Sequence, residues 1–290
     1  QEYPDAYIAW MIEERYQELL YNNPDIDEII TIRTKVWRKN WSKKTFNEIQ
    51  QTIKNLRQKK FDIVFDLHGL VKSSIIVMFS GAKTKIGFHK NNCKEKVSSI
   101  FTNKKGPYMA GGIHVVDMYL TLVQSALGVK TDVKQFPICI PEAQEQKIEG
   151  FFQNHPELTA NPIIGINPGA GFESKLWKME KFAKLSDRIT NEMSYSILLL
   201  WGPGEEQKAK QIAKSMKEKC WIAPATTIQE SIALYKRLKL LVSCDSGPLH
   251  LCSALGIPTV SLFGPTDPVR NGAYGLYHEA VYKMLPCSFC

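Results

Sequence analysis

Short apolar runs alternate with amphipathic stretches of helical period along almost the whole chain, and no other feature limits the possible folds as much. In the second half the alternation is regular. Residues 162–167, 194–201, 221–223, 240–244 and 259–264 read as strands, and 178–189, 205–219, 228–237 and 248–255 as helices. The first half repeats the pattern, with strands at 6–11, 28–32, 61–66 and 85–87 and helices at 13–21, 45–60, 71–79 and 114–127, the last stopped by Gly128. Strands that are apolar on both faces belong in parallel sheets covered by helices on both sides. A chain of 290 residues is at the size where one core gives way to two. The economical solution is an α/β protein of two domains, 1–141 and 142–290, joined near 136–141 (FPICIP).

With 44% hydrophobic and 23% charged residues, neither a disordered nor a fibrous chain is expected. Apolar stretches such as 73–82 and 193–204 fall well short of the ~18 apolar residues a membrane helix needs. The chain opens without Met and stops after a strand-like stretch, so both ends read as cut. No secretory signal is visible. Seven cysteines, an odd number and mostly within apolar runs, indicate reduced, buried thiols of a cytoplasmic protein. Only Cys287 and Cys290 have C-x-x-C spacing, and with no second pair or nearby His they are a weak metal signal.

The charge is uneven. Residues 1–141 carry 21 basic and 14 acidic side chains, whereas 142–290 carry 16 and 15. Within 33–60 ten basic residues face a single acid, Glu48, and 83–105 holds seven lysines against Glu95. The first domain therefore has a basic face suited to an anionic partner. Much of 45–60 is a solvated helix face. Trp37 and Trp41, interleaved with Arg38 and Lys39, are less easily explained by solubility.

In doubly wound sheets ligands bind beyond the carboxyl ends of the strands, so the loops there are the candidate sites. Asn167-Pro-Gly-Ala-Gly171 offers glycines for close backbone approach, with Lys175 following as a point charge. In Trp201-Gly-Pro-Gly-Glu-Glu206 a carboxylate can accept the hydroxyls of a ribose; Glu205 or Glu206 can equally be a helix-start acid. Ser243-Cys-Asp-Ser-Gly-Pro-Leu-His250 is the most informative. Ser246 suits a helix cap, Gly247 allows close approach and Pro248 fits the first turn. The helix end then offers free amides to a diphosphate. His250 faces either ligand or core. Gly264-Pro-Thr-Asp-Pro268 closes the same rim. There is no P-loop, no H-E-x-x-H and no G-x-S-x-G. The D-x-D of Asp25 and Asp27 lies in a turn and is a poor metal candidate.

The run from Asp245 to Pro268 (DSGPLHLCSALGIPTVSLFGPTDP), continuing through Arg270 to Gly275, resembles the signature of glycosyltransferase family 9, the bacterial heptosyltransferases of the lipopolysaccharide inner core. Pro168-Gly-Ala, Lys175 with Trp177, the 201–206 loop, 64–73 (VFDLHGLVKS) and 83–87 (KTKIG) resemble it in order and spacing. The runs 37–41 (WRKNW) and 69–73 (GLVKS) are most similar to the heptosyltransferase I group. The resemblance implies a GT-B architecture: two Rossmann-like doubly wound domains with the active site in the cleft between them. It implies ADP-heptose as donor, held by Gly169, Ala170 and Lys175, by Glu205 at the ribose, by Thr226 near the adenine, and by Asp245, Ser246, Gly247 and His250. It implies Kdo of lipid A as acceptor, met by Lys35, Arg38, Lys39 and Lys72. The expected reaction is a single inverting displacement, with a carboxylate base that in the family lies upstream of Gln1. The family's C-terminal helices are likewise expected beyond Cys290. No cofactor is required and a divalent metal at most stimulates. The expected protein is a monomer, cytoplasmic and peripheral to the inner face of the inner membrane, with no nucleic acid partner. Where similar sequences have arginines after the His at the start of the helix near His114, this chain has Met118 and Leu120, so the acceptor contacts differ. The alternatives are another family 9 transferase with a different donor or acceptor, and a protein that binds nucleic acid through the 33–60 stripe. That second alternative leaves the loops of the second domain unexplained.

Overall fold

A computed structural model describes residues 3–130, 133–286, 288 and 289; Cys287 and Cys290 lie outside the described residues, so the C-x-x-C motif is not considered further. The chain separates into two compact units. One comprises Gln1–Gln17 and Pro24–Lys134, the other Glu18–Asn23 and Gln135–Cys290. This division differs in two ways from a cut at 141/142. Residues from Gln135 already belong to the second unit, where Phe136 packs edge-on against Tyr274. The segment Glu18–Asn23 joins them, because Asn23 donates to the carbonyl of Pro137 and the Glu18 carboxylate accepts the amides of Ile228 and Gln229. Sequence periodicity gives no sign of such a return contact.

The first unit contains β1 (Ala9–Glu13), β2 (Glu28–Ile32), α1 (Thr34–Lys39), α2 (Lys43–Gln58), β3 (Ile63–Asp66), α3 (Val71–Phe79), β4 (Thr84–Gly87), β5 (Lys104–Lys105) and α4 (Val115–Leu127). The expected alternation is present and all pairings are parallel, but the strands form two sheets rather than one: β1–β2 and β3–β4–β5. Among the described residues β1 pairs only with β2, and β3 only with β4. The segment 13–21 is a 3-10 helix, Glu14–Leu20. Helix α4 starts at a His114 cap, whose Nδ1 accepts the amide of Val116, and ends at Gly128 in the left-handed region (φ 72°), which only glycine adopts without strain. Its Met118 and Leu122 meet Ile86, Phe88 and Met109 in a small core.

The second unit contains α5 (Glu142–Gln153), α6 (Pro156–Thr159), β6 (Ile163–Asn167), α7 (Met179–Met193), β7 (Ser196–Leu199), α8 (Glu206–Ser215), β8 (Trp221–Ile222), α9 (Ile228–Tyr235), β9 (Leu238–Cys244), α10 (Gly247–Ala254), β10 (Thr259–Leu262), α11 (Pro268–Asn271) and β11 (His278–Val281). Its six strands form one parallel sheet in the order β11-β10-β9-β6-β7-β8. The chain builds outward from β6 to β8, then returns to pair β9 with the other side of β6. This is the doubly wound order, with its reversal between β6 and β9. Alternate strand residues face opposite cores. Ile163, Leu198, Leu200 and Leu241 pack with Phe152 of α5 and Leu234 of α9. Ile164, Ile166, Ile197, Leu199 and Val242 pack with Phe182 of α7 and Ile212 of α8.

Candidate functional site

The reversal point puts the carboxyl ends of β6 and β9 side by side, with Asn167 opposite Ser243 in the register. Asn167 is only 2% exposed. Its amide nitrogen lies 3.0 Å from the Ser243 hydroxyl, 2.9 Å from the Ser246 hydroxyl and 3.3 Å from the Gly169 carbonyl. One side chain thus pins the loop after β6 to the loop after β9. Sequence reasoning placed Asn167 in a candidate loop but missed this role, because its partners are 76 and 79 residues away.

Ser246 occupies the N-cap position of α10 in an extended conformation, but its side chain does not cap the helix. The hydroxyl is instead engaged with Asn167, Ser243 and the Cys244 carbonyl, which corrects the capping expectation. The Ser246 side chain therefore leaves the amino end of α10, the positive end of its dipole, without a cap. His250, three residues into the helix, is exposed, which excludes a place in the core.

Lys175, brought round from the β6 loop by the turn Glu173–Lys175, lies with its ammonium 2.6 Å from Asp245 Oδ2. Both groups are mostly shielded, with side-chain exposures of 18% and 8%. The hydroxyl of Thr266, from the loop after β10, donates to the same carboxylate oxygen at 2.5 Å. A Cβ on Gly264 would stand 3.1 Å from the Ser174 carbonyl, so this fourth loop rests directly on the Lys175 turn. Thr266 is a second site residue that sequence alone did not single out. One oxygen of Asp245 thus accepts from both Lys175 and Thr266.

The 201–206 loop separates Glu205 from Glu206. Glu206 lies on α8 and pairs with Lys210 at the surface. Glu205 bends back into the loop, accepting the Gly202 amide and pairing with Lys208 at 3.2 Å. A Cβ on Gly169 would fall 2.1 Å from Glu205 Oε2, so the loops after β6 and β7 touch through a position that only glycine permits. Ala170 follows it, half-buried. Trp201, beside this loop, donates its indole N–H to the Ala223 carbonyl and ties the ends of β7 and β8 together. Thr226 follows β8, its hydroxyl 2.7 Å from that of Ser231 and next to the capping box of Thr227 and Glu230. Gly169, Ala170, Lys175, Glu205, Thr226, Asp245, Ser246, Gly247 and His250 therefore all lie on loops or a helix start at one edge of one sheet.

In the first unit Lys35, Arg38 and Lys39 are exposed on α1, while Lys72 is exposed on the first turn of α3. The buried Asp66 at the end of β3 fixes that turn: it accepts the amides of His68 and Gly69 and the hydroxyls of Ser73 and Ser74. Burial, then the charges of Lys94 and Lys72, hold the His68 imidazole below its ordinary pKa. The D-x-D motif is structural on its second residue, since Asp27 accepts the Ile8 amide. Among the described residues no helix is long and apolar enough to cross a membrane.

A doubly wound sheet with a helix end, a lysine and a carboxylate gathered at its reversal point is the place where α/β folds of this class bind their ligands. The comparisons narrow the class further. Residues 49–290 match glycosyltransferase family 9 (heptosyltransferase), and the chain belongs to that family. It is similar to lipopolysaccharide heptosyltransferase 1 of Pseudomonas aeruginosa, with 26% identity across 99% of this chain and 78% of that relative. It is similar in structure to the Escherichia coli heptosyltransferase WaaC solved with ADP, with a TM-score of 0.79 and 26% identity over 97% of this chain and 85% of that one. The same enzyme with ADP-2-deoxy-2-fluoro heptose gives a TM-score of 0.77 at the same identity and coverage. The chain is a glycosyltransferase with the parallel-sheet α/β fold of these GT-B proteins.

Proposed function

We propose that the protein transfers heptose from ADP-heptose to Kdo of lipid A in assembly of the lipopolysaccharide inner core. The observation that carries this reading is the uncapped amino end of α10 beside the Lys175–Asp245 pair. As the bond between the heptose anomeric carbon and the diphosphate breaks and that to the acceptor hydroxyl forms, negative charge accumulates on the departing diphosphate. Amides of α10 and the Lys175 ammonium are suited to receive it, and a preorganised donor of this kind is worth roughly 10²–10³ in rate. Lys175 has only to turn from Asp245 toward the phosphate, with Thr266 keeping Asp245 hydrogen-bonded meanwhile. Glu205, fixed against Gly169 and the Gly202 amide, is oriented for the ribose hydroxyls. Thr226 is assigned to the adenine side, and Ser246, Gly247 and His250 to the diphosphate and sugar. The relatives' names and the ligands of the two WaaC structures support the choice of donor.

On the first unit, Lys35, Arg38, Lys39 and Lys72 are assigned to the acceptor's carboxylates and phosphates, in keeping with the basic balance of 1–141. Because Lys175 and helix amides supply positive charge at the leaving group, no metal is required in this reading, and EDTA should leave transfer intact. The enzyme is taken as a monomer working at the cytoplasmic face of the inner membrane. The test is a thermal-shift series with ADP, GDP and UDP on the chain and on Lys175→Ala. ADP alone should raise the melting temperature, and only with Lys175 present. Equal shifts with all three nucleotides, or none, would remove the ADP-heptose assignment.

A further inference from the structure

The side chain at the start of α8 points away from the helix it begins. Glu205 holds the N-cap position, where a carboxylate ordinarily accepts amides of the first turn and gains from the helix dipole. It makes no such hydrogen bond. Its carboxylate folds back instead, with Oε2 accepting the Gly202 amide at 3.3 Å and lying against Gly169. Oε1 is 3.2 Å from the ammonium of Lys208, three residues further along. The backbone and Lys208 between them therefore fix the carboxylate on the loop side.

Lys208 is poorly placed to serve stability. It is the third residue of α8, in the first turn, where the dipole disfavours a cation and a capping box would have an acid. The Lys208 and Glu205 side chains are 34% and 22% exposed, and an ion pair so near solvent contributes little to folding. The next residue, Ala209, is fully buried in the core, so the helix carrying the ammonium is itself fixed. Lys210 and Glu206 form a second pair on the same helix at 2.7 Å, with side chains 50% and 45% exposed. One pair thus lies at the surface and the other is turned to the loops that touch at Gly169.

We infer that Lys208 is a positioning residue for nucleotide recognition: by holding Oε1 it keeps the Glu205 carboxylate off the amides of its own helix and open to the vicinal hydroxyls of a ribose. This deepens the assignment of Glu205 made above and rests on it. Each carboxylate oxygen has two lone pairs, so Oε1 and Oε2 can each accept a ribose hydroxyl beside the present partner. A carboxylate held in this way is already oriented when the nucleotide arrives, and a site built for hydroxyls discriminates against a ligand that lacks them. Without the ammonium the carboxylate swings to the first amides of α8, which favours the helix and withdraws the acceptor.

The experiment is calorimetric titration with ADP and with 2′,3′-dideoxy-ADP of the parent chain, Lys208→Met, Lys208→Arg and Lys210→Met. The melting temperature of each ligand-free protein is measured beside it. The parent should prefer ADP by about tenfold or more. Lys208→Met should bind ADP roughly tenfold more weakly and the dideoxy nucleotide as before, so that the preference disappears. Its ligand-free melting temperature should stay level or rise. Lys208→Arg should retain the preference, and Lys210→Met should leave it intact. A preference that survives Lys208→Met, or one that is lost in Lys210→Met, would overturn the inference. So would an equal loss for both nucleotides, which marks a general cation for the diphosphate, or a lower melting temperature of ligand-free Lys208→Met, which marks a structural pair. A parent chain that binds ADP without preference would remove the ribose assignment of Glu205 and this inference with it. One that binds no ADP would remove the nucleotide reading as a whole, so the two failures are distinguishable.

Discussion

The two units are built from the same alternation and end up differently consolidated. In the second, six strands form one uninterrupted sheet with a core on each face, and Ile166, Phe182, Leu198, Leu199 and Ile212 are fully shielded. In the first, the strands lie in two sheets, the core is small, and Trp10 on β1 and Ile63 on β3 are about 40% exposed. Loops rooted in a continuous sheet inherit its rigidity, which is why the donor-side residues are hydrogen-bonded to one another across the loops. The first unit presents charge on exposed helices instead, an arrangement suited to a large anionic surface more than to a small molecule.

The contrast can be tested by substitution. The largest effect is expected at Lys175. Lys175→Ala should lower transfer by about 10²–10³ and abolish stabilisation by ADP, measured by initial rates and thermal shift. Next is Asn167→Ala, which leaves the hydroxyls of Ser243 and Ser246 without their common donor. A loss of about 2 kcal/mol in urea unfolding is expected, read with a probe in the second unit. Gly169→Ala should be milder in stability but specific in function. The new methyl displaces Glu205, and ADP should bind roughly tenfold more weakly by calorimetry, in line with the loss of one hydrogen-bonded contact. If the first unit were as tightly consolidated as the second, its ion pairs would matter as much; they are expected to matter least. Hydrogen bonds from Lys59, then Tyr7, hold the Glu28 carboxyl below its ordinary 4.5. Its contribution is therefore present above pH 4.5 and lost as pH falls through the lowered value. Lys59→Met should shift the acid-unfolding midpoint slightly upward, with a stability loss at neutral pH of less than about 1 kcal/mol for so exposed a pair.

Local signals were readable wherever the physics is local. Helix α3 falls on 71–79 as its apolar period indicates, and the Gly128 stop is a left-handed residue. Boundaries moved where one residue faces out of an otherwise buried strand: β9 begins at Leu238 because Lys239 points to solvent between two apolar residues. The basic stretch 33–60 became two helices, split at Asn40–Ser42 by a side-chain cap that composition does not display. β11 is the strand-like stretch noted near the end of the sequence, and its alternating burial leaves too few apolar residues to set its bounds. That Lys175, Glu205 and the 245–250 turn lie in loops after strands was readable from the strand–helix alternation. Asn167 as the hub, Thr266 as partner of Asp245, and the diversion of Ser246 from capping were not. Each depends on a partner from a distant loop, and such pairings exist only once the sheet has assembled.

That dependence bears on how the enzyme comes into being. β6 acquires its second neighbour only after three further strands' worth of chain has been made, so Asn167 stays without its serines until β9 docks. A ribosome-bound chain stalled after β8 should hold most of a fold and no affinity for nucleotide. Acquisition of ligand affinity would then be a late, all-or-none event in biosynthesis, paced by the slow closure of a distant pairing.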